Sequence, residues 1–338
     1  VTPVRLSICI PTYNFGPFIG ATLESVLPQA GEGVEVCILD GGSTDETPAV
    51  VAAFQERYPR LRYERRPERG GIDRDLARTI DMAEGAYCWL FCSDDIMKPG
   101  AVDAMLGHIE SGLDVYVCGF TLCTRDMRPI ADQLVVGVPV DTDFDLGREP
   151  DRRRYFEHAQ TTTAFFSFAG SIIVRKARWD SKTLDEDFVG SCWAHVARLF
   201  SMVPEGLTLG YLATPYLLKR TDNDSFMDSG IVRRYALAID GYHRLAQTFF
   251  GERSMEALNV RRVVTNEFPP WILLHAKSEA RRERPEDLAL LDRLAAKAYG
   301  DPSPANRAKL LAYRLTPIPA YTFARASYSR VMRALRRR

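Results

Sequence analysis

The first half of this chain is constrained most by a rhythm: short apolar runs, each about the length of one strand, alternate with segments of helical spacing. VRLSICIP (4–11) is rich in β-branched residues and closes at Pro11, after which Phe18, Ile19, Leu23, Val26 and Leu27 recur at helical intervals. VEVCILD (34–40) is a second strand, stopped by Gly41 and Gly42. Ser43, Thr44 and Asp45 offer caps for the helix PAVVAAFQERY. LRYERRP is a third, shorter strand; residues 75–84 read as a helix, AYCWLFC (86–92) as a fourth strand, 101–111 as a helix and DVYVCGFTLCT as a fifth strand. This succession predicts an α/β fold, a mostly parallel sheet with helices on both faces.

In such sheets ligands bind beyond the carboxyl ends of the strands. Here those ends carry polar turns: PTYN after the first strand, DGGSTD after the second and SDD after the fourth. The last is the most demanding. Asp94 and Asp95 directly follow an apolar run, and adjacent carboxylates at a buried strand end repel each other unless a positive group joins them. Either the pair lies in water past the strand, or it holds a cation.

With 338 residues, 46% hydrophobic and 26% charged, the chain can bury a full core. Its formal net charge of zero excludes an obvious nucleic-acid binder. Five of the seven cysteines lie in strand-like runs and none forms a CxxC pair, which predicts reduced core thiols rather than zinc. There is no signal-peptide pattern and no apolar run long enough to span a bilayer, so a cytoplasmic protein is expected. From about Gly147 the rhythm loosens: GSIIVRKA and LTLGYLATPYLLKR read as strands, SCWAHVARLF as a helix, and the chain beyond Ile231 as mostly helical with breaks at proline clusters. No GxSxG elbow is present, which argues against a serine hydrolase. The first turn lacks the glycine-rich, Lys/Arg-bearing phosphate loop of a nucleotidyltransferase.

CIPTYN, ILDGGSTDET and GAYCWLFCSDDIMKPG, in that order, resemble the family 2 glycosyltransferases with the GT-A fold. GGIDRDL and SCWAHV resemble the subgroup containing abequosyltransferase-like enzymes of bacterial surface-polysaccharide assembly. The resemblance implies a GT-A catalytic domain over 1–228 and a helical C-terminal region over 229–338. It also implies an inverting transfer from a nucleoside diphosphate sugar, UDP first with GDP or CDP as alternatives, to a glycan or polyprenyl-linked acceptor. A non-catalytic sugar-nucleotide binder or scaffold of the same fold is the alternative.

By the same resemblance Pro11, Thr12 and Tyr13 line the nucleotide pocket, Asp40 accepts a hydrogen bond from the base, and Ser93 and Asp94 belong to that pocket. Asp73 touches base or ribose, while Arg69 or Arg74 faces phosphate. Asp94 and Asp95 match the family's DxD motif and would hold Mg²⁺ or Mn²⁺, a cofactor that prefers carboxylate oxygens completed by substrate phosphates. Cys92 stands where that motif has its first Asp. Where many members carry an ED pair as base, this chain has Ser191 and Cys192. The candidates for the base are then Asp187 and His195, the latter also a possible metal ligand. Arg220, Asn223 and Ser225, in KRTDNDSF, match a loop over the diphosphate and donor sugar.

After Asp301 the chain has no Asp or Glu, while Arg307, Lys309, Arg314, Arg325, Arg330, Arg333 and Arg336 to Arg338 follow. AYTFARASYSRVMRALRRR (320–338) reads as a basic amphipathic helix, the usual form of a peripheral membrane contact. The expected location is the inner face of the cytoplasmic membrane.

Overall fold

The computed structural model describes residues 2–58, 60–223 and 229–325. It divides into two compact units, Val1–Asn223 and Asp224–Arg338.

The first unit is built on one mixed sheet. Its strands are β1 (Leu6–Thr12), β2 (Val34–Asp40), β3 (Leu61–Arg65), β4 (Tyr87–Leu90), β5 (Ile96–Met97), β6 (Val115–Cys123), β7 (Pro129–Gln133), β8 (Thr142–Asp145), β9 (Ile172–Arg175) and β10 (Thr208–Arg220). The spatial order is β3-β2-β1-β4-β9-β6-β10-β5, with β7 on β6 and β8 on β10. Of the five strands read from the sequence as a parallel sheet, the first four pair in parallel, β1 with β2 and β4 and β2 with β3, and the fifth, β6, does not join them directly. Beyond β4 the direction changes, because β9 enters antiparallel between β4 and β6.

Every residue of β2 and β4 is buried; β4 is apolar throughout, and in β2 the acids Glu35 and Asp40 are buried with partners, Glu35 accepting from the Ser7 hydroxyl and the Glu84 N–H. Trp89 in β4 is fully buried and donates its indole N–H to the Gly170 carbonyl at 2.9 Å, so the ring is packed without leaving its polar atom unpaired. The helices of this unit are α1 (Gly16–Val26), α2 (Thr47–Arg57), α3 (Ile72–Asp81), α4 (Ala101–His108), α5 (Glu149–His158), α6 (Lys176–Asp180) and α7 (Ala194–Met202).

The second unit is helical, with α8 (Ile231–Phe250), α9 (Met255–Glu267), α10 (Pro270–Glu283), α11 (Leu288–Ala298) and α12 (Pro304–Leu315). Pro269 and Pro302 lie between helices, and Pro270 and Pro304 open α10 and α12, where a missing N–H costs nothing and a fixed φ starts the helix. Tyr242, Leu245, Val260, Val264, Leu273 and Leu291 are buried in this unit. α12 packs through Tyr313, whose hydroxyl donates to Asp292 Oδ1 at 2.6 Å while Lys277 Nζ lies 4.3 Å from the ring centroid.

Candidate functional site

The turns after β1 and β2 are tied into one surface. Asn14, in the left-handed region at φ 56°, donates its backbone N–H to Ser43 Oγ at 2.8 Å, and its side-chain oxygen accepts the Thr44 N–H at 2.7 Å. Asp45 accepts from the Gly16 N–H at 2.9 Å and from the Thr47 backbone and hydroxyl, joining the starts of α1 and α2. Pro11 and Tyr13 are half-buried and Thr12 is buried at this edge. The Arg69 guanidinium stacks 4.4 Å from the Tyr13 ring centroid, a cation–π contact that holds an arginine beside the predicted nucleotide pocket.

Asp40, expected at the nucleobase, is held by groups of the protein. It is fully buried; Oδ1 accepts the Ser43 N–H at 2.7 Å and Oδ2 accepts the Tyr63 hydroxyl at 2.7 Å, with Arg65 Nε 3.7 Å from Oδ2. Both oxygens therefore organise the turn. Burial and the Asp40 carboxylate together push the Tyr63 phenol above its usual range.

Asp73 is also taken by the protein itself. Its Oδ2 accepts the N–H groups of Gly190 and Cys192 at 2.8 and 3.0 Å, and its Oδ1 accepts that of Ala194 at 3.0 Å. The carboxylate sits in a nest of amides leading into α7, made by Gly190 at φ 85° and Cys192 at φ 69°. Asp73 thus ties α3 to the entry of α7. Arg74 is turned away to an exposed bidentate pair with Glu186, at 2.6 and 3.2 Å.

The SDD turn answers the sequence question: Asp95 does not lie in water. It is 2% exposed and Ser93 is 5% exposed, while Asp94 is half-buried. Burial, with the Asp94 charge beside it, pushes the Asp95 carboxyl up to about 8. Cys92 Sγ and one carboxylate oxygen each from Asp94 and Asp95 lie within 4.8 Å of one another. Two hard carboxylates suit Mg²⁺ or Mn²⁺ completed by phosphate oxygens, and the adjacent thiol adds a softer donor. The donor set fits a divalent ion.

The end of β10 converges on this turn. The Arg220 N–H donates to Asp95 Oδ1 at 2.8 Å, and Arg220 Nε to the Asp94 carbonyl at 2.9 Å. Asn223 Nδ2 donates to Asp94 Oδ2 at 3.0 Å. Thr22 Oγ1, from α1, donates to the Asp95 carbonyl at 2.8 Å. Arg220 also donates to the Arg125 carbonyl and stacks 4.8 Å from the Phe18 ring centroid, so its guanidinium braces the acidic turn. Ser225 lies outside the described residues.

Asp187 and His195 occupy contrasting settings. Asp187 is exposed on a short turn, its N–H held by Asp185 Oδ1 at 3.0 Å. His195 is buried in the first turn of α7 and donates Nε2–H to the Phe166 carbonyl at 3.0 Å. Burial holds its imidazole below the usual range, hence neutral, against a smaller upward pull from Asp73. Among the described residues the donors gathered around Asp94 and Asp95 are completed by Cys92, while His195 Nε2 is engaged with the Phe166 carbonyl.

One residue of this edge was missed in the sequence. Asp75, on α3, is 4% exposed; its Oδ1 finds no hydrogen-bond partner among the described residues, and Arg66 Nη1 stands 3.5 Å away. Burial raises its carboxyl above the usual range, Arg66 and Arg69 opposing. In the sequence it reads as an ordinary acid in the first turn of a helix.

The chain matches the Glycosyl transferase family 2 profile over residues 7–180. It is 29% identical over 272 residues to abequosyltransferase RfbV of Salmonella typhimurium, covering 79% of this chain and 81% of that protein. In fold it is similar to S. aureus TarS 1–349 in complex with UDP-GlcNAc, with a TM-score of 0.59 at 15% identity, covering 96% of this chain and 92% of that one. It is also similar to the mannosyltransferase PcManGT from Pyrobaculum calidifontis in complex with GDP-Man and Mn²⁺. There the TM-score is 0.50 at 16% identity, over 97% of this chain and 87% of that one.

Proposed function

The chain belongs to glycosyl transferase family 2, and from that premise we propose that it is a metal-dependent, inverting enzyme. It moves a sugar from a nucleoside diphosphate to a hydroxyl of a glycan or polyprenyl-linked acceptor in surface-polysaccharide synthesis. The observation that carries the reading is the convergence of the SDD turn with the end of β10, which presents two carboxylates and braces them with Arg220 and Asn223. The likeness to RfbV supports the polysaccharide setting.

A divalent ion bound at Asp94 and Asp95 would supply Lewis-acid neutralisation of the departing diphosphate. The protein's own residues prepare the rest. Asn223 fixes the rotamer of Asp94, and the Arg220 N–H holds Asp95 from behind, so neither carboxylate has to reorganise when the donor arrives. Pro11, Thr12 and Tyr13, with Arg69 stacked on Tyr13, frame the nucleotide side. Asp187 takes the acceptor proton, since it is the exposed carboxylate of the two candidates.

The membrane is the second partner we assign. Residues 326–338 of the basic tail lie outside the described residues, but α12 presents a related face. Ala308, Leu311, Ala312 and Leu315, at i, i+3, i+4 and i+7, are exposed, Leu311 by 55% and Leu315 by 74%, and Arg307 and Arg314 flank them in the open. Apolar residues rimmed by arginine suit the boundary of an anionic bilayer, where a lipid-carried acceptor would be found. Among the described residues no helix is long and apolar enough to cross a membrane.

Calorimetric titration of UDP with and without Mn²⁺, on the wild type and Asp94→Asn, tests the core of the reading. Binding that needs the metal and is weakened at least tenfold in Asp94→Asn supports it. Nucleotide binding indifferent to both metal and substitution sinks it.

A further inference from the structure

β10 ends in two cations, Lys219 and Arg220, which leave the strand on opposite faces because successive side chains alternate. The register with β6 is regular here, Leu217 to Arg220 lying against Phe120 to Cys123. Lys219 shares its face with Leu217 and Phe120, both buried, so this lysine continues the core face of β10 at the point where the core runs out at the carboxyl edge. Arg220 goes the other way, onto Phe18 of α1, and its guanidinium donates to the carbonyls of Asp94 and Arg125.

A cation on a core face needs a partner, and those of Lys219 are aromatic. Its Nζ lies 4.1 Å from the Phe168 ring centroid and 5.3 Å from that of Phe120, two rings that meet edge to face at 4.8 Å. Such contacts place an ammonium without consuming its hydrogens. Among the described residues Lys219 makes no hydrogen bond and no ion pair, so its three N–H donors are uncommitted. Its charge nevertheless falls on the acidic turn: burial raises Cys92, Asp94 and Asp95, and Lys219 is among the groups that pull each of them back. Lys219, Cys92 and Asp94 are all half-buried, which puts the ammonium at the open border of the turn and not behind it. Phe168 is two residues from Phe166, whose carbonyl receives His195, so Lys219 stands on the α7 side of the turn and Arg220 on the α1 side.

We propose that Lys219 is a substrate-contacting residue, which donates from the α7 side of the acidic turn to the terminal phosphate of the donor's diphosphate. The assignment rests on the nucleotide-sugar reading above. A diphosphate brought to Asp94 and Asp95 carries more negative charge than one divalent ion shared with two carboxylates can answer. Arg220 is committed to two carbonyls, whereas Lys219 has its position fixed by two rings and its donors open. In the transfer the acceptor oxygen bonds to the anomeric carbon and gives its proton to Asp187. The bond from that carbon to the terminal phosphate oxygen breaks and leaves its electron pair on the phosphate. An ammonium already in place there meets the charge as it grows, and a charge-assisted hydrogen bond is among the stronger contacts a side chain can offer a phosphate.

Calorimetry in Mn²⁺ first finds which of UDP, GDP and CDP binds the wild type most tightly, and then compares that diphosphate with its own monophosphate. Lys219→Met keeps an apolar stem over Phe168 and removes the charge. It should weaken the diphosphate about tenfold or more and the monophosphate by less than about threefold, with the melting temperature unchanged. A lysine that only covers two rings would leave both affinities in place. The wild type gives a second test that needs no variant to fold: acetylation of Lys219 by acetic anhydride, followed by mass spectrometry. The diphosphate with Mn²⁺ should slow it about fivefold or more, and the monophosphate should not. Equal losses for diphosphate and monophosphate in Lys219→Met, or acetylation of Lys219 at one rate with and without the diphosphate, would overturn the assignment and leave the transferase reading intact. Failure of all three diphosphates to bind the wild type would remove both.

Discussion

The two candidates for the acceptor's proton differ in what surrounds them. Asp187 is exposed to solvent, whereas His195 is buried and already donating to the Phe166 carbonyl. Asp187→Asn should therefore lower kcat about 100-fold or more while donor affinity holds. His195→Gln, whose amide can still donate to the Phe166 carbonyl, should keep kcat within about threefold. Donor turnover and UDP titration on the two variants check this; a collapse of kcat in His195→Gln alone would transfer the role to the imidazole. At the nucleotide end, Gly41→Ala drives a methyl into Asp75 Oδ2 and should weaken nucleotide binding with little change in metal affinity, measured by titrating each separately. The acidic turn at Asp94 and Asp95 stood out in the sequence because two adjacent acids after an apolar strand pose a problem that few arrangements solve. The burial of Asp75 did not, because it comes from packing against Gly41 and Gly70, contacts made only when α3 packs on the strand ends.

At the scale of elements, Asp73 is the link that holds the entry to α7 against α3. Its three accepted N–H groups have no substitute in Asp73→Ala, which buries unpaired donors and should cost about 3 kcal/mol. Urea unfolding measures that loss, and a change below about 0.5 kcal/mol would mean water replaces the carboxylate there. Such a loss would also disturb Asp187 and His195, whose segment leads into α7, so activity should fall with stability. The strands β1, β2 and β4 were readable because strands covered on both faces are mostly apolar and rich in β-branched residues, and α1, α2 and α4 because their buried stripe has a helical period. The insertion of β9 between β4 and β6, and the pairing of β7 and β8, were not readable. Strand order depends on partners far apart in the chain, and local periodicity carries no information about it.

At the scale of the whole molecule, 44 basic and 44 acidic residues cancel, yet their distribution gives the second unit its own response to pH and to surfaces. His243, on α8, has its imidazole depressed to about 4, first by burial and then by Lys297 and Arg261, with Asp301 and Asp240 opposing. The unfolded chain binds this proton below about 6.5 and the folded unit only near 4, so stability is lost as pH falls across that window, by up to about 3 kcal/mol. Thermal melts from pH 7.5 to 4.5 should show the loss, and His243→Leu should flatten it; an identical slope in both would assign the acid sensitivity to other groups. The membrane reading depends on a different asymmetry. Leu311 and Leu315 each leave most of an apolar side chain in water, and nothing acidic follows Asp301 to oppose an anionic surface. Each arginine near such a surface contributes about 1 kcal/mol, a term that salt screens, while leucine burial does not depend on salt. The full chain should therefore float with vesicles containing phosphatidylglycerol, float less in 0.5 M salt, and fail to float with vesicles of phosphatidylcholine alone. Leu311→Glu with Leu315→Glu should reduce flotation at least tenfold and leave UDP binding unchanged, because neither residue belongs to the nucleotide edge. Removal of 326–338 alone then separates the contribution of the tail from that of α12. Unchanged flotation of the double variant would show that α12 does not face the bilayer.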